Sequence, residues 1–443
     1  MTKSVLVPIT NVYAKGDYTA QVHIGSHKQP ANLVLDSGSS TMVVQHEDYD
    51  PSQDQHLYPT SYAQNVTYGM GGWYGPVVKT SVSIGSGFFQ AALKDVHIAV
   101  AKKELSNSFA LADGLLGLAY RELNKAYNLE RYLNENGVEP AVTHPWFLTE
   151  EQSDDSISEF RSFLRQFPRH EITPYFTQLE QNGVVGNQFA FIIHRSSIYQ
   201  TETKKTADEL KQHPLNNGVF MLVHPRLHGH IYEGEFKEVR VLDDKYYNVH
   251  LRSLRVGDQE PISAPALAEK DVKGYVSNAI VDSGASMVIL PEILFDGLFD
   301  GLIKHNPSFA SLLETFRTFE GVEKGIDMQL VDLEQWPSLH FTFDGFDGET
   351  VELTMTPETY WQTHAPEPNQ ISFQFVYLPK WPDQSVLGLP FMNNYFTIFD
   401  RAERENGAVL FAEKEFKPHC LGEAVHRKIE HLKDLFTQHK LDL

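Results

Sequence analysis

Cysteine is almost missing from this 443-residue chain: Cys420 is the only one. No disulfide can form within one copy, which points to a reducing compartment, and no zinc centre built on paired cysteines is available. Positive charge is scarce too, with 37 Lys and Arg against 58 Asp and Glu and a formal net charge of −21. Nucleic acid and anionic membrane surfaces call for a surplus of Lys and Arg, so neither is expected as a partner. No apolar stretch approaches the ~20 residues that a membrane helix needs. The first eight residues hold only a short apolar run broken by Pro8, which does not read as a signal peptide. The expectation is a cytoplasmic protein.

What is present is an ordinary globular composition, 41% hydrophobic and 21% charged, on a chain long enough for two lobes. One stretch stands out. The apolar run Leu33 to Leu35 reads as a buried strand that stops at Asp36-Ser37-Gly38-Ser39-Ser40. Gly38 permits a sharp turn, and Ser37, Ser39 and Ser40 set hydroxyls around one carboxylate. A single Asp-Ser-Gly is most often a plain turn. Here the grammar recurs at Ala279-Ile280-Val281-Asp282-Ser283-Gly284-Ala285-Ser286. A second element recurs after each: Asp113-Gly114-Leu115-Leu116-Gly117, then Val386-Leu387-Gly388. Two signals repeated in the same order indicate an internal duplication whose unit is a whole lobe.

Along the chain, Tyr18 to Ile24 alternates as a half-buried strand, and residues 46–61 read as a polar loop. Val66 to Val78 carries two β-prone runs around the cluster Gly69-Met70-Gly71-Gly72, a hairpin signal. Ser81 to Ile84 and Val96 to Val100 add strands. Residues 121–171 read as a helical insertion, with Leu123, Tyr127 and Leu129 near helical spacing and a capping box at Ser156-Ile157-Ser158-Glu159. Thr173 to Gly183 reads as a short helix with a glycine stop, Gln188 to His194 as a strand, and Pro291 to Leu302 as a helix. Strands are expected at Tyr247 to Val256, Leu339 to Phe343, Val351 to Met355 and Phe396 to Asp400. The tail from Gly422 places Val425, Ile429, Leu432 and Phe436 on one helical face. The division is a first lobe over 1–195, a second over 196–416 and a helical tail over 417–443.

Taken together these motifs resemble the pepsin-type aspartic proteases, and within them the bacterial, disulfide-free shewasins. The paired Asp-Ser-Gly loops, the Leu-Leu-Gly and Val-Leu-Gly elements, and Tyr68-Gly69 in the hairpin carry the resemblance over roughly residues 15 to 416. It implies a mainly β, bilobal fold and catalysis by Asp36 and Asp282. Ser37, Gly38, Ser39, Ser283 and Gly284 would form the active-site loops. Tyr68 and Gly69 would belong to a flap over the substrate, with Leu115 and Phe109 lining a pocket for bulky apolar side chains. Asp36 lies about as far from the N-terminus as in a mature pepsin, so the expected enzyme is made without a propeptide. Three positions depart from the family pattern. Val43 stands where a Trp usually supports the flap tyrosine, with Trp73 as a candidate substitute. Ala285 stands where a hydroxyl often follows the second loop. Ser37 and Ser283 replace the commoner Thr.

If the two acids meet, like charges cannot easily both ionise, so the pair holds one proton between them, as is known for this family. The charged member would take a proton from water and the protonated member would donate to the peptide carbonyl. The expectation is therefore an endopeptidase acting on peptides or proteins, with no cofactor or metal, working as a monomer. The rivals are a catalytically inactive peptide binder on the same fold and a metal hydrolase. His224, His228 and His230 invite the latter, but their spacing matches no ligand motif.

Overall fold

Alternation of apolar and polar side chains builds most of the chain into strands. We analysed a computed structural model that describes residues 5–68, 71–85, 90–105, 108–146, 157–201, 205–222, 232–401, 404 and 406–414. In Thr19–Ile24, Ala20, Val22 and Ile24 are buried while Gln21 is exposed, as period-two patterning requires. The next strand, Gln29–Asp36, pairs antiparallel with it and is buried over its last four residues. Its apolar run thus delivers Asp36 to the inside of the molecule.

The duplication is visible in strand pairing. Gln29–Asp36 runs parallel to Gly114–Gly117, with Asp36 opposite Gly117. Met42–Gln45 then pairs antiparallel with Gly114–Gly117 and parallel with Ala91–Ala101. In the second half, Ala279–Val281 runs parallel to Ser385–Leu387. Val288–Ile289 pairs antiparallel with Ser385–Leu387 and parallel with Phe375–Val376. Each acid therefore ends a strand lying beside the Leu-Leu-Gly or Val-Leu-Gly strand of its own half.

A run of six strands joins the halves: Val5–Thr10, Asn217–Leu222, Gln188–Ile192, Tyr395–Asp400, Ala408–Lys414 and Tyr232–Arg240, in that order. The division at residue 195 falls just past one of these strands, so the lobes share a sheet and are not merely tethered. Phe189, Phe191, Phe220, Phe399 and Tyr247 fill the core beneath it. Phe189 stacks on Phe399 at 4.8 Å between ring centroids. Each such ring stabilises the fold by about 1.5–3 kcal/mol through burial alone.

Most expected elements form. The hairpin is Tyr58–Thr67 with Gly72–Ile84, Thr67 facing Gly72. Tyr175–Gln181 is a helix followed by Gly183 at φ +65°, and Glu292–His305 is a helix that starts after Pro291. Two readings need correction. The supposed loop 46–61 already contains the start of a strand at Tyr58. The 121–171 segment is only partly helical: after a 3-10 turn at Arg121–Leu123 it carries the strands Lys125–Asn128 and Arg169–Glu171, which pair with each other. Tyr127 lies in the first of these, because strand partners on both sides, Ala63 and Arg169, outweigh a three-residue helical spacing. Helices Glu130–Glu135 and Ile157–Leu164 lie between the strands, and Phe160 and Leu164 bury against Tyr74 and Leu133. Ser156, Cys420 and the tail from residue 417 lie outside the described residues. No helix among the described residues is long and apolar enough to cross a membrane.

Candidate active site

The two Asp-Ser-Gly loops meet. Ser37 N–H donates to Ser283 Oγ at 3.0 Å, and Ser283 N–H donates to Ser37 Oγ at 2.8 Å. Ser37 Oγ also donates to Val281 O at 3.2 Å, and Ser283 Oγ to Leu35 O at 2.8 Å. Both serines are fully buried. Each hydroxyl accepts from the opposite loop and donates into the opposite strand, so the four bonds lock the halves in one register. At about 0.5–1.5 kcal/mol net each, their larger effect is geometric, because they fix the two acids relative to each other.

Asp36 and Asp282 come within hydrogen-bonding reach of each other across this clamp. A side chain at Gly38 would run into the carboxyl of Asp282, and one at Gly284 into the carboxyl of Asp36. The glycines are required because each loop backbone passes directly under the other loop's acid. Gly117 and Gly388 serve a related purpose: a side chain at either would strike the backbone of the adjoining acid loop.

The two acids are not equivalent. Asp36 accepts from Gly38 N–H at 2.8 Å and from Ser39 Oγ at 2.5 Å. Asp282 accepts from Gly284 N–H at 2.9 Å, and Ala285 offers no hydroxyl. Burial pushes both carboxyls upward. For Asp36 the Ser39 hydroxyl and the Gly38 N–H pull back down. For Asp282 the charge of Asp36, and then that of Asp17, add to burial, and it lies well above the ordinary carboxylate range. Hydrogen bonds to a charged oxygen favour the charged form, so of the two carboxyls Asp36 has the surroundings better suited to hold charge.

Tyr68 packs against a cluster formed by Val34, Val43, Trp73, Phe109 and Leu115. Its hydroxyl accepts from the indole Nε1–H of Trp73 at 2.9 Å. Trp73 is fully buried beside Val43, so an indole from the hairpin's own second strand fills the space and makes the bond. Burial first, then the charge of Asp36, hold the Tyr68 phenol neutral, which sets the ring within the field of the acids. Leu115 and Phe109 both lie in this cluster and both are buried. Gly69, and the histidines 224, 228 and 230, lie outside the described residues.

Sequence reasoning missed two neighbours of the acids. Asp17, ahead of the strand Thr19–Ile24, comes alongside Asp36 and feels its charge, while the Ser286 hydroxyl favours its charged form. Tyr246 faces both acids; burial first, and then Asp282, push its hydroxyl up to about 12. Nothing in their local sequence marks either one, since an acid after Gly16 and a tyrosine before a strand are commonplace.

Comparison with known proteins identifies the family. The family model described as eukaryotic aspartyl protease matches residues 17–149 and 221–413, and leaves out much of the segment between. A beta-secretase of Strongylocentrotus purpuratus is 21% identical over 91% of this chain and 67% of its own. A vacuolar aspartic protease of Candida albicans is 22% identical over 89% and 74%, and a cathepsin D of Chionodraco hamatus is 22% identical over 88% and 80%. With more than half of its length matched by the family model, in a mainly β, two-lobed fold, the chain belongs to the pepsin-like aspartyl proteases.

Proposed function

We propose that the protein is an endopeptidase in which Asp36 and Asp282 activate water together. Asp36, charged and steadied by Ser39 and Gly38, takes a proton from a water held between the acids. Asp282, protonated, donates to the peptide carbonyl oxygen, and the water oxygen attacks the carbonyl carbon. The C–N bond then breaks as the proton taken by Asp36 passes to the leaving amine, and a hydroxyl of the tetrahedral intermediate returns its proton to Asp282 as the new carboxyl forms. No covalent intermediate is involved. The observation that carries this reading is the crossed serine clamp, which brings two unequal carboxyls to hydrogen-bonding reach.

The Tyr68 hairpin closes over the substrate and excludes water. The apolar cluster below it, with Leu115 at its edge, favours a bulky hydrophobic side chain beside the scissile bond. The single cysteine and the formal charge fit a disulfide-free, shewasin-type enzyme that works in the cytoplasm as a monomer. The inactive-binder reading drew on Val43 and Ala285, and Trp73 now supplies what Val43 lacks.

The test is turnover of a mixed peptide library at pH 3 to 7, with and without a statine-type transition-state analogue. The proposal expects cleavage next to large apolar residues and its loss with the analogue. Peptides retained uncut across the whole range would identify a binder instead.

A further inference from the structure

Asp17 has no part in the chemistry above, yet its carboxyl is held at the dyad. The chain reaches it through a turn in which Gly16 N–H donates to Asn11 O at 3.0 Å and Asp17 N–H to Ala14 O at 3.1 Å. Gly16 has φ +117°, and a side chain there would strike the carbonyl oxygen of Ser196. Next in the chain, Tyr18 is fully buried, its hydroxyl accepting from the N–H groups of His194 and Arg195 at 3.2 and 3.3 Å. The backbone on both sides of Asp17 is therefore pinned. Thr19 pairs with Val34 and Leu35 N–H donates to Tyr18 O at 2.9 Å, so Asp17 comes alongside Asp36 at the end of this strand pair, and its Oδ1 is buried without a hydrogen-bond partner. The charge acting on it is that of Asp36, and it in turn acts on Asp282; no lysine or arginine is among the groups that shift it. Three carboxyls from three segments share one cleft.

We propose that Asp17 is a positioning residue for the dyad's shared proton, a third carboxyl that keeps the proton on the Asp36–Asp282 pair to higher pH and so extends activity toward neutrality. The inference rests on the peptidase reading above. Burial first, then the charge of Asp36, push Asp17 up to about 8, while the Ser286 hydroxyl pulls it down. It is thus neutral where an acid protease works and gains charge only as the pH approaches and passes neutrality. Once charged, it resists loss of the proton from Asp282, whose carboxyl it already raises. Tyr246, the other titratable group facing the pair, stays neutral throughout this range. At an effective dielectric of about 20, one added charge ~4 Å away moves a carboxyl by roughly three pH units, and one ~10 Å away by roughly one. Ionisation of Asp36, governed by burial, Ser39 and Gly38, should be little affected.

The experiment is a profile of kcat/KM from pH 3 to 9 on one uncharged peptide, for the unaltered enzyme, Asp17→Asn and Ser286→Ala. For Asp17→Asn the alkaline limb should move toward acid by roughly one to three units while the acid limb stays in place. Ser286→Ala removes a hydroxyl that favours charged Asp17, so its alkaline limb should move the same way by less. Unchanged limbs in Asp17→Asn, or a uniform drop at every pH, would overturn the inference. Should the Asn variant fail to fold, an unmoved limb in Ser286→Ala overturns it equally. Asp282→Asn is run alongside: activity surviving in that variant would sink the peptidase reading, not the role of Asp17.

Discussion

Replacing Trp73 by phenylalanine isolates the bond that holds the hairpin tyrosine. Trp73 is 0% exposed, and its Nε1–H donates to the Tyr68 hydroxyl at 2.9 Å. Phenylalanine keeps an aromatic ring in the cluster with Val34, Val43 and Leu115 but loses the donor. The smaller ring leaves a void costing about 1 kcal/mol or more of stability; the lost bond costs a further ~1 kcal/mol. If the bond holds the phenol over the acids, that second amount is also lost from transition-state binding. The fall in kcat/KM would be roughly fivefold. Tyr68→Phe should cost at least as much, because it leaves the buried indole N–H unpaired, a penalty of about 1–3 kcal/mol.

The decisive quantity is the double-mutant cycle. The void is common to both arms that carry Trp73→Phe and cancels. The double variant should therefore lose less than the sum of the singles, with a coupling of about 1 kcal/mol in kcat/KM and in urea unfolding. Additivity within about 0.3 kcal/mol would refute the reasoning and return the flap to an unsupported state.

Ser283→Ala leaves the buried Ser37 N–H and Leu35 carbonyl without their partner; we expect a loss of about 2–4 kcal/mol in urea unfolding, and a loss under 1 kcal/mol would contradict the clamp. Ala285→Thr restores a hydroxyl beside Asp282 and should lower its pKa, moving the pH optimum of kcat/KM downward; an optimum that rises or stays would count against the asymmetry. Lys414 is buried with its ammonium donating to the carbonyls of Ile193 and Asn393, and burial drops its pKa from 10.5 to about 7. The unfolded chain then binds the extra proton between those values, so stability rises with pH through that window and is lowest below about 7. Relative to Lys414→Met, the unaltered protein should gain a few kcal/mol between pH 7 and 10, and parallel stability curves would refute this.

The features legible in the sequence are those whose chemistry is local. An apolar strand ending in Asp-Ser-Gly, met twice, named both acids, both clamp serines and both close-contact glycines. Tyr68 was marked by the glycines after it. What stayed hidden depends on contacts distant in sequence. The strand Val5–Thr10 pairs with Asn217–Leu222 more than two hundred residues on, and no periodicity announces a partner at that range. Asp17 gains its character from Asp36 and Ser286, neither of them near it in the chain except through folding. Tyr127 misled for the opposite reason: three residues at helical spacing carry little weight against strand partners on both sides, Ala63 and Arg169.

The account rests most directly on both acids being needed for one chemical step. The measurement is kcat/KM of Asp36→Asn and Asp282→Asn on a peptide that the unaltered protein cleaves, with unfolding curves run on the same samples. We predict that each single variant loses at least roughly a thousandfold, that the double variant loses little more, and that all three stay folded. Cleavage persisting near the original rate in either folded variant would contradict it.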